Sequence, residues 1–442
     1  MKCIALKSLP RETLTSYKMR TFKFHFVKSV LRCLSALSLL IAAQFWTTEA
    51  IAQSRLVDAI LQASETDPGV NALRQKAAVA SIEIEAVKDG RLPQFSLSAE
   101  TNTTSVDGPA IVLIVPQILF DWGKINAAIQ SASQDRVLAV AALKTGMEQL
   151  NLDVAKFFID IELLDQKLQR TREYLAFAQR IASSAEDRAL AGSGDNGEYA
   201  RTRLEVIRTE EQINQLTAER ALALQQLAFL TGRDVSQVGI APRLNFEKRY
   251  SNPKELQAAV RFAPEYIEAQ AEVAKSEAQI EIAKASRKPS IQLQAQVRSD
   301  IDRRQTKSSV GLSTGVELGM ANMRGRQLEA ARLSAEASKS NLQGVARNLT
   351  NSAQSSIQRL RTLQESQIAQ ARQLGDAEQV LQNYEQQFIA GQRQLVDLLT
   401  TGRDQYDAQI DSIETYGDLK RAEYQAAYEL GVLGTLVAEL SK

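Results

Sequence analysis

The chain has 442 residues, 44% of them apolar, with 53 Lys/Arg against 52 Asp/Glu. Residues 1–52 hold eight of the bases and two of the acids, which leaves 45 bases and 50 acids beyond them, a net of −5. That excludes a basic nucleic-acid surface, and with both cysteines (Cys3, Cys33) and the only histidine (His25) also in that stretch, the remainder has no thiol nucleophile, disulfide or His-based triad.

The first 52 residues read as a secretory signal. Lys18, Arg20, Lys23, Lys28 and Arg32 form a basic region, Leu34–Trp46 an apolar region, and Ala50-Ile51-Ala52 a small-x-small cleavage site. The apolar run is short for a membrane span. The mature chain is expected to start at Gln53, with translation from Met1 or Met19.

Beyond the signal the prolines expose a repeat. Pro68 and Pro93 lie 25 residues apart, as do Pro264 and Pro289, with Ala/Glu/Lys-rich helical text between each pair. An offset of 196 residues superimposes them. Gly123-Lys124 with Gly325-Arg326, and Ala191-Gly192 with Ala390-Gly391, keep roughly that spacing, so two halves share one plan. Each half predicts a helix, two strands, a very long helix, a tip and a return helix.

In chain order, the first strands are Phe95–Thr101, which alternates polar and apolar, and Ala110–Phe120, a more continuous apolar run. The first long helix follows from about Lys124 to Ala189. No proline interrupts residues 117–241, and such a helix spans about 100 Å. Stepping 3 and 4 from Val140 meets Leu143, Met147, Leu150, Val154, Phe157, Ile161, Leu164, Leu168, Thr171, Leu175, Ala178 and Ala182, the 3.5 period of a coiled coil. The return helix carries Val206, Thr209, Ile213, Leu216, Ala223, Leu227 and Leu230. In the second half, Ile291–Val297 and Val310–Leu318 alternate as strands, and Arg298–Ser309 between them reads as a polar loop. The expected divisions are 1–52 signal peptide, 53–234 first repeat, 235–255 linker, 256–436 second repeat and 437–442 tail.

Four strands cannot close a barrel, and open edges cannot face lipid. Either the sheet is an ordinary soluble one, or three copies supply twelve strands. The heptad helices then pack side by side into a tube below.

The order of these elements resembles the TolC family of trimeric outer-membrane channels, over essentially all of residues 53–436. Pro116–Ala128 (PQILFDWGKINAA) is similar to the family's strand-to-helix junction. Tyr384–Leu399 (YEQQFIAGQRQLVDLL) resembles the tip of its second hairpin, most of all in members serving type I secretion. The resemblance implies a mostly α protomer with a small β part, internally duplicated. As a homotrimer it would form a 12-stranded outer-membrane β-barrel, set in outer-membrane lipid and continuous with a periplasmic α-helical barrel. It implies a non-enzymatic exit duct working with a periplasmic adaptor and an inner-membrane ABC or proton-driven transporter. Type I protein secretion is the first expectation. Drug efflux is the alternative, and a soluble periplasmic coiled-coil scaffold the rival of another class.

The resemblance also supplies site residues. At the periplasmic mouth, Gly391, Arg393 and Asp397 match a pattern in which the arginine holds the mouth shut and acids line the constriction. The family's second acidic position is Thr400 here, a departure from its double acidic ring. Glu198 occupies the corresponding acidic place in the first tip, among Gly192, Gly194 and Gly197. Arg393 is placed to bridge hairpins. As ordinary helix chemistry, Asp397 offsets the macrodipole in a first turn, with Arg393 its i,i+4 partner. At the junction, Asp121 is expected to cap the long helix near Trp122 or Gly123, and Phe120 and Trp122 to anchor at the membrane interface. No metal or cofactor is expected.

Overall fold

The computed structural model describes residues 55–100, 109–192, 196–301, 304–315, 323–390 and 392–440. The signal region, most of the loop after Thr101, Gly194, Val316–Leu318 and Gly391 lie outside them.

Each half holds a proline-started helix ahead of its strands. The first half has α1 (Leu56–Thr66) and α2 (Pro68–Asp89); the side chain of Asp67 accepts the Val70 amide at 2.7 Å, with Pro68 in the first turn. Strands β1 (Ser96–Glu100) and β2 (Ala110–Phe120) follow, then the long helix α3 (Lys124–Leu190) and its return α4 (Asn196–Thr231). Short helices α5 (Phe246–Tyr250) and α6 (Pro253–Phe262) cross to the second half. There α7 (Pro264–Ala285), β3 (Ser290–Asp300), β4 (Gln305–Gly315), α8 (Met323–Ile389) and α9 (Leu395–Glu429) repeat the plan, and α10 (Leu433–Glu439) ends it. The duplication holds in length: α2 and α7 have 22 residues each, α3 and α8 have 67 each. Among the described residues no helix is long and apolar enough to cross a membrane.

The four strands form one antiparallel sheet in the order β1-β2-β3-β4, so the two halves meet at the β2–β3 pair. The second hairpin differs from expectation. Arg298–Asp300 and Gln305–Ser309, read as loop, continue the ladder, with Arg298 opposite Lys307 and Asp300 opposite Gln305. Ion pairs permit this polar extension: Arg298 lies 3.0 Å from both Glu100 and Asp300.

The register sorts the faces. One carries Leu97, Ile111, Ile291, Val297, Val310 and Leu312, all well exposed. The other carries Ser96, Ser98, Gln292, Gln294, Gln296, Ser309 and Ser313. Apolar outside and polar inside is the pattern of a membrane barrel. Strand β2 breaks it by placing Val112, Ile114, Pro116 and Ile118 on the polar face.

The main core surrounds α3 between Leu150 and Leu163, where Leu152, Val154, Ala155, Phe158, Ile159 and Ile161 are all buried. The heptad seam accounts for one side only. Segments from α1, α9 and α10 cover the others, and burying each large side chain contributes about 1.5–3 kcal/mol. Val140, the first residue of the seam, is exposed. The return helix keeps its period, with Thr202, Thr209, Leu216 and Ala223 buried at every seventh position. A second, smaller cluster lies toward the hairpin ends. It joins Tyr174, Phe177, Ile181 and Ala185 of α3 to Leu381, Leu395, Leu398 and Tyr406.

Candidate functional site

The second hairpin end is built by local bonds. The Gln392 amide donates to the Gln387 carbonyl at 2.8 Å, closing the end of α8. Chain direction then reverses into α9, whose first turn buries Leu395 and Leu398 and leaves Asp397 half-exposed. The Arg393 guanidinium lies 4.2 Å from the Tyr384 ring centre, donates to Gln387 Oε1 at 3.0 Å and stands 3.8 Å from Asp397. All three partners belong to its own hairpin. Among the described residues of one protomer Arg393 therefore orders its own tip, its side chain folded back onto α8. Thr400 is exposed and donates to the Val396 carbonyl at 2.9 Å.

In the first hairpin Gly192 turns the chain with φ +69°, a left-handed value that glycine adopts without strain. Gly197 and Glu198 lie in the first turn of α4. Among the described residues no ion pair or hydrogen bond joins Glu198 to Arg393 or Asp397.

The hairpins are joined further along, by residues the sequence reading did not single out. Arg403 of α9 reaches Glu205 of α4 at 2.8 Å and Asp407 of its own helix at 3.1 Å. The Tyr174 hydroxyl of α3 donates to the same Glu205 at 2.9 Å. Tyr174 stacks on Tyr406 at 4.6 Å, and the Tyr406 hydroxyl shares a 3.0 Å bond with Thr171. Burial, and then the Glu205 carboxylate, push the Tyr174 phenol well above its ordinary value, so it stays a donor. Burial works against the charge on Arg403, but Glu205 and Asp407 outweigh it and hold the guanidinium protonated. The available signal was Arg403-x-x-x-Asp407, which reads as a surface i,i+4 pair; nothing local points to Glu205.

At the other end of α3, both Asp121 oxygens cap the helix, accepting from Gly123 at 3.0 Å and Ile125 at 2.6 Å. Trp122 and Gly123 take φ of +59° and +84°, so the chain turns sharply from strand to helix. The helix accordingly starts at Lys124. The Trp122 indole donates to the Pro289 carbonyl at 2.8 Å, Lys288 lies 4.4 Å from its ring, and Phe120 meets it edge-on at 4.8 Å. The junction of the first half is thus pinned to that of the second. Among the described residues no group of three or more His, Cys, Asp or Glu side chains gathers as a metal site.

A sheet with an apolar outer face and two open edges, joined to two hairpins each built on a 67-residue helix, is the protomer of an outer-membrane channel. The outer membrane efflux protein family model matches residues 59–233 and 256–429, and the chain belongs to that family. Among curated protein sequences none matches. Solved structures share the fold. A membrane protein from Pseudomonas aeruginosa is similar at a TM-score of 0.74 with 15% identity, over 85% of this chain and 90% of that one. Outer membrane protein VceC of Vibrio cholerae is similar at 0.73 with 14% identity, over 85% and 96%. The CmeC outer membrane channel of Campylobacter jejuni is similar at 0.72 with 11% identity, over 86% of each. The chain is therefore an outer-membrane efflux channel and not an enzyme. Channels of this family are trimers that join a periplasmic adaptor and an inner-membrane transporter in tripartite systems.

Proposed function

We propose that this channel is the exit duct of a type I protein-secretion system, with its gate at the hairpin ends. The duct performs no chemistry. The inner-membrane transporter drives the substrate, and the channel supplies a wet lumen and a mouth that closes. In a trimer, three copies of Asp397 form a ring of carboxylates at the constriction, which attracts cations and repels anions.

The observation that carries the secretion reading is the tip itself. Gln387 and Phe388, part of the stretch that resembles type I secretion members, are structural here. Gln387 accepts from Arg393, and Phe388 packs on the aromatic cluster beneath Arg188, whose guanidinium lies 5.9 Å from its ring. A second reading, efflux of amphipathic small molecules, is favoured by β2. Its Val112, Ile114, Pro116 and Ile118 set an apolar stripe beside the glutamines of β3 on the lumen-type face.

Deleting the gene in its source bacterium separates the two. The secretion reading expects one or a few proteins to vanish from the medium while susceptibility to amphipathic dyes stays unchanged. Dye hypersensitivity with an intact set of secreted proteins would overturn it.

A further inference from the structure

We propose that Arg403, through Glu205, is the brake that keeps the two hairpins of each protomer together beside the mouth. It is a gating residue separate from the tip arginine, and the proposal rests on the channel reading above.

Among the described residues Arg393 makes no bond that crosses between the hairpins of the protomer. Arg403 does, and its placement suits a restraint. It lies eight residues into α9, about 12 Å from the start of that helix. Its guanidinium spans two carboxylates on two helices, Glu205 and Asp407, which a planar fork of donors does better than a point charge. Glu205 is mostly buried and oriented by Tyr174, and Tyr174 is held by Tyr406, itself held by Thr171. The carboxylate is thus presented in one geometry by groups from α3 and α9.

The helices also approach closely at this level. A Cβ on Gly402 would fall 2.2 Å from the Phe177 ring, so the residue beside Arg403 is bare to let α9 settle on α3. The bridge is nevertheless reversible. Arg403 and Asp407 remain half-exposed, so water can replace the bond when the hairpins separate. A buried aromatic support with a wet ionic latch is the construction of a two-state contact, firm when closed and inexpensive to release.

The test compares purified mature trimers in planar bilayers: wild type, Arg403→Gln, Glu205→Gln, the double variant, and a remote control, Lys284→Gln. Either single change is expected to raise resting open conductance about fivefold or more. The double variant should do no more than either single one, because both remove the same bond. The control should match wild type, and melting temperatures should agree within a few degrees. A wild type with small openings beside variants that conduct several-fold more supports the brake. Wild type and both single variants conducting alike, at equal stability, overturns the brake and leaves the channel reading standing. Silence of every trimer overturns the channel reading and the brake with it.

Discussion

The chain holds its helices together in two ways, and the contrast lies between the belt around α3 and the hairpin ends. At the belt Lys420 and the carboxylates of Glu162 and Glu423 are enclosed. Lys420 is buried with both Glu162 oxygens at 2.8 Å, and Glu162 also accepts the Ala241 amide at 3.1 Å. Glu423 receives Arg243 through two bonds of 3.0 Å and the Leu244 amide at 3.1 Å. Each carboxylate therefore holds a helix partner or strap side chain and a backbone amide at once. The linker between repeats is fastened to α3 and α9 where water cannot compete. At the hairpin ends Arg393, Asp397, Arg403 and Asp407 are half-exposed and bond side chain to side chain. Burial makes the first set permanent, and exposure makes the second exchangeable. A channel that must keep its walls and move its mouth needs both.

The strongest way to break this contrast is to unpair the belt. Glu162→Ala leaves Lys420 buried without its partner and is expected to cost about 3–5 kcal/mol, read as a fall in melting temperature. Glu162→Leu with Lys420→Met, which removes both charges, should recover most of it. At the hairpin ends, Gly402→Ala drives a methyl group into Phe177. It should cost about 1–3 kcal/mol and raise resting conductance, since it levers α9 from α3.

A smaller effect is set by pH. Burial raises the pKa of Glu148, against the opposing bonds from the amides of Gly434 and Leu433 and the charge of Lys144. The folded chain then binds this proton more tightly than the unfolded chain. Its contribution favours folding most below the unfolded value near 4.5 and fades as pH rises through the higher folded value. Glu148→Gln should remove that component of the stability–pH profile in urea titrations; an unaltered profile would show that another group carries it. Smallest in stability is Asp397→Asn, which should leave the melting temperature within about 0.5 kcal/mol of wild type while lowering cation selectivity. Arg393→Ser should raise resting conductance less than Arg403→Gln, because its bonds stay inside one hairpin.

Much of the fold was legible because it rests on period and punctuation. The paired 25-residue proline spacings mark α2 and α7, and the proline-free stretches accommodate two helices of 67 residues. Ala110–Phe120 is a strand with the bounds its apolar run suggested. The β3–β4 hairpin was underestimated because Arg298, Asp300 and Lys307 look like loop residues, and only the pairing with β4 and Glu100 reveals why they extend a strand. The site was less legible. The tip motif located Arg393 and Asp397, but the partners of Arg393 depend on how the side chain folds back. Glu162, Lys420 and Glu423 sit in helical text where charges read as solvated. Their burial follows from the linker crossing over them, which no local pattern records. Glu205 and Arg403 are 198 residues apart, and only the packing of two hairpins brings them together.

The central claim is that the chain forms a lipid-inserting duct whose mouth is narrow and lined by acids. The most direct test is the reversal potential of single channels of the mature protein in a planar bilayer, under a potassium chloride gradient. The account predicts discrete small openings with a reversal potential displaced toward that of potassium, a displacement that Asp397→Asn diminishes. Openings that reverse at zero or toward chloride would contradict it.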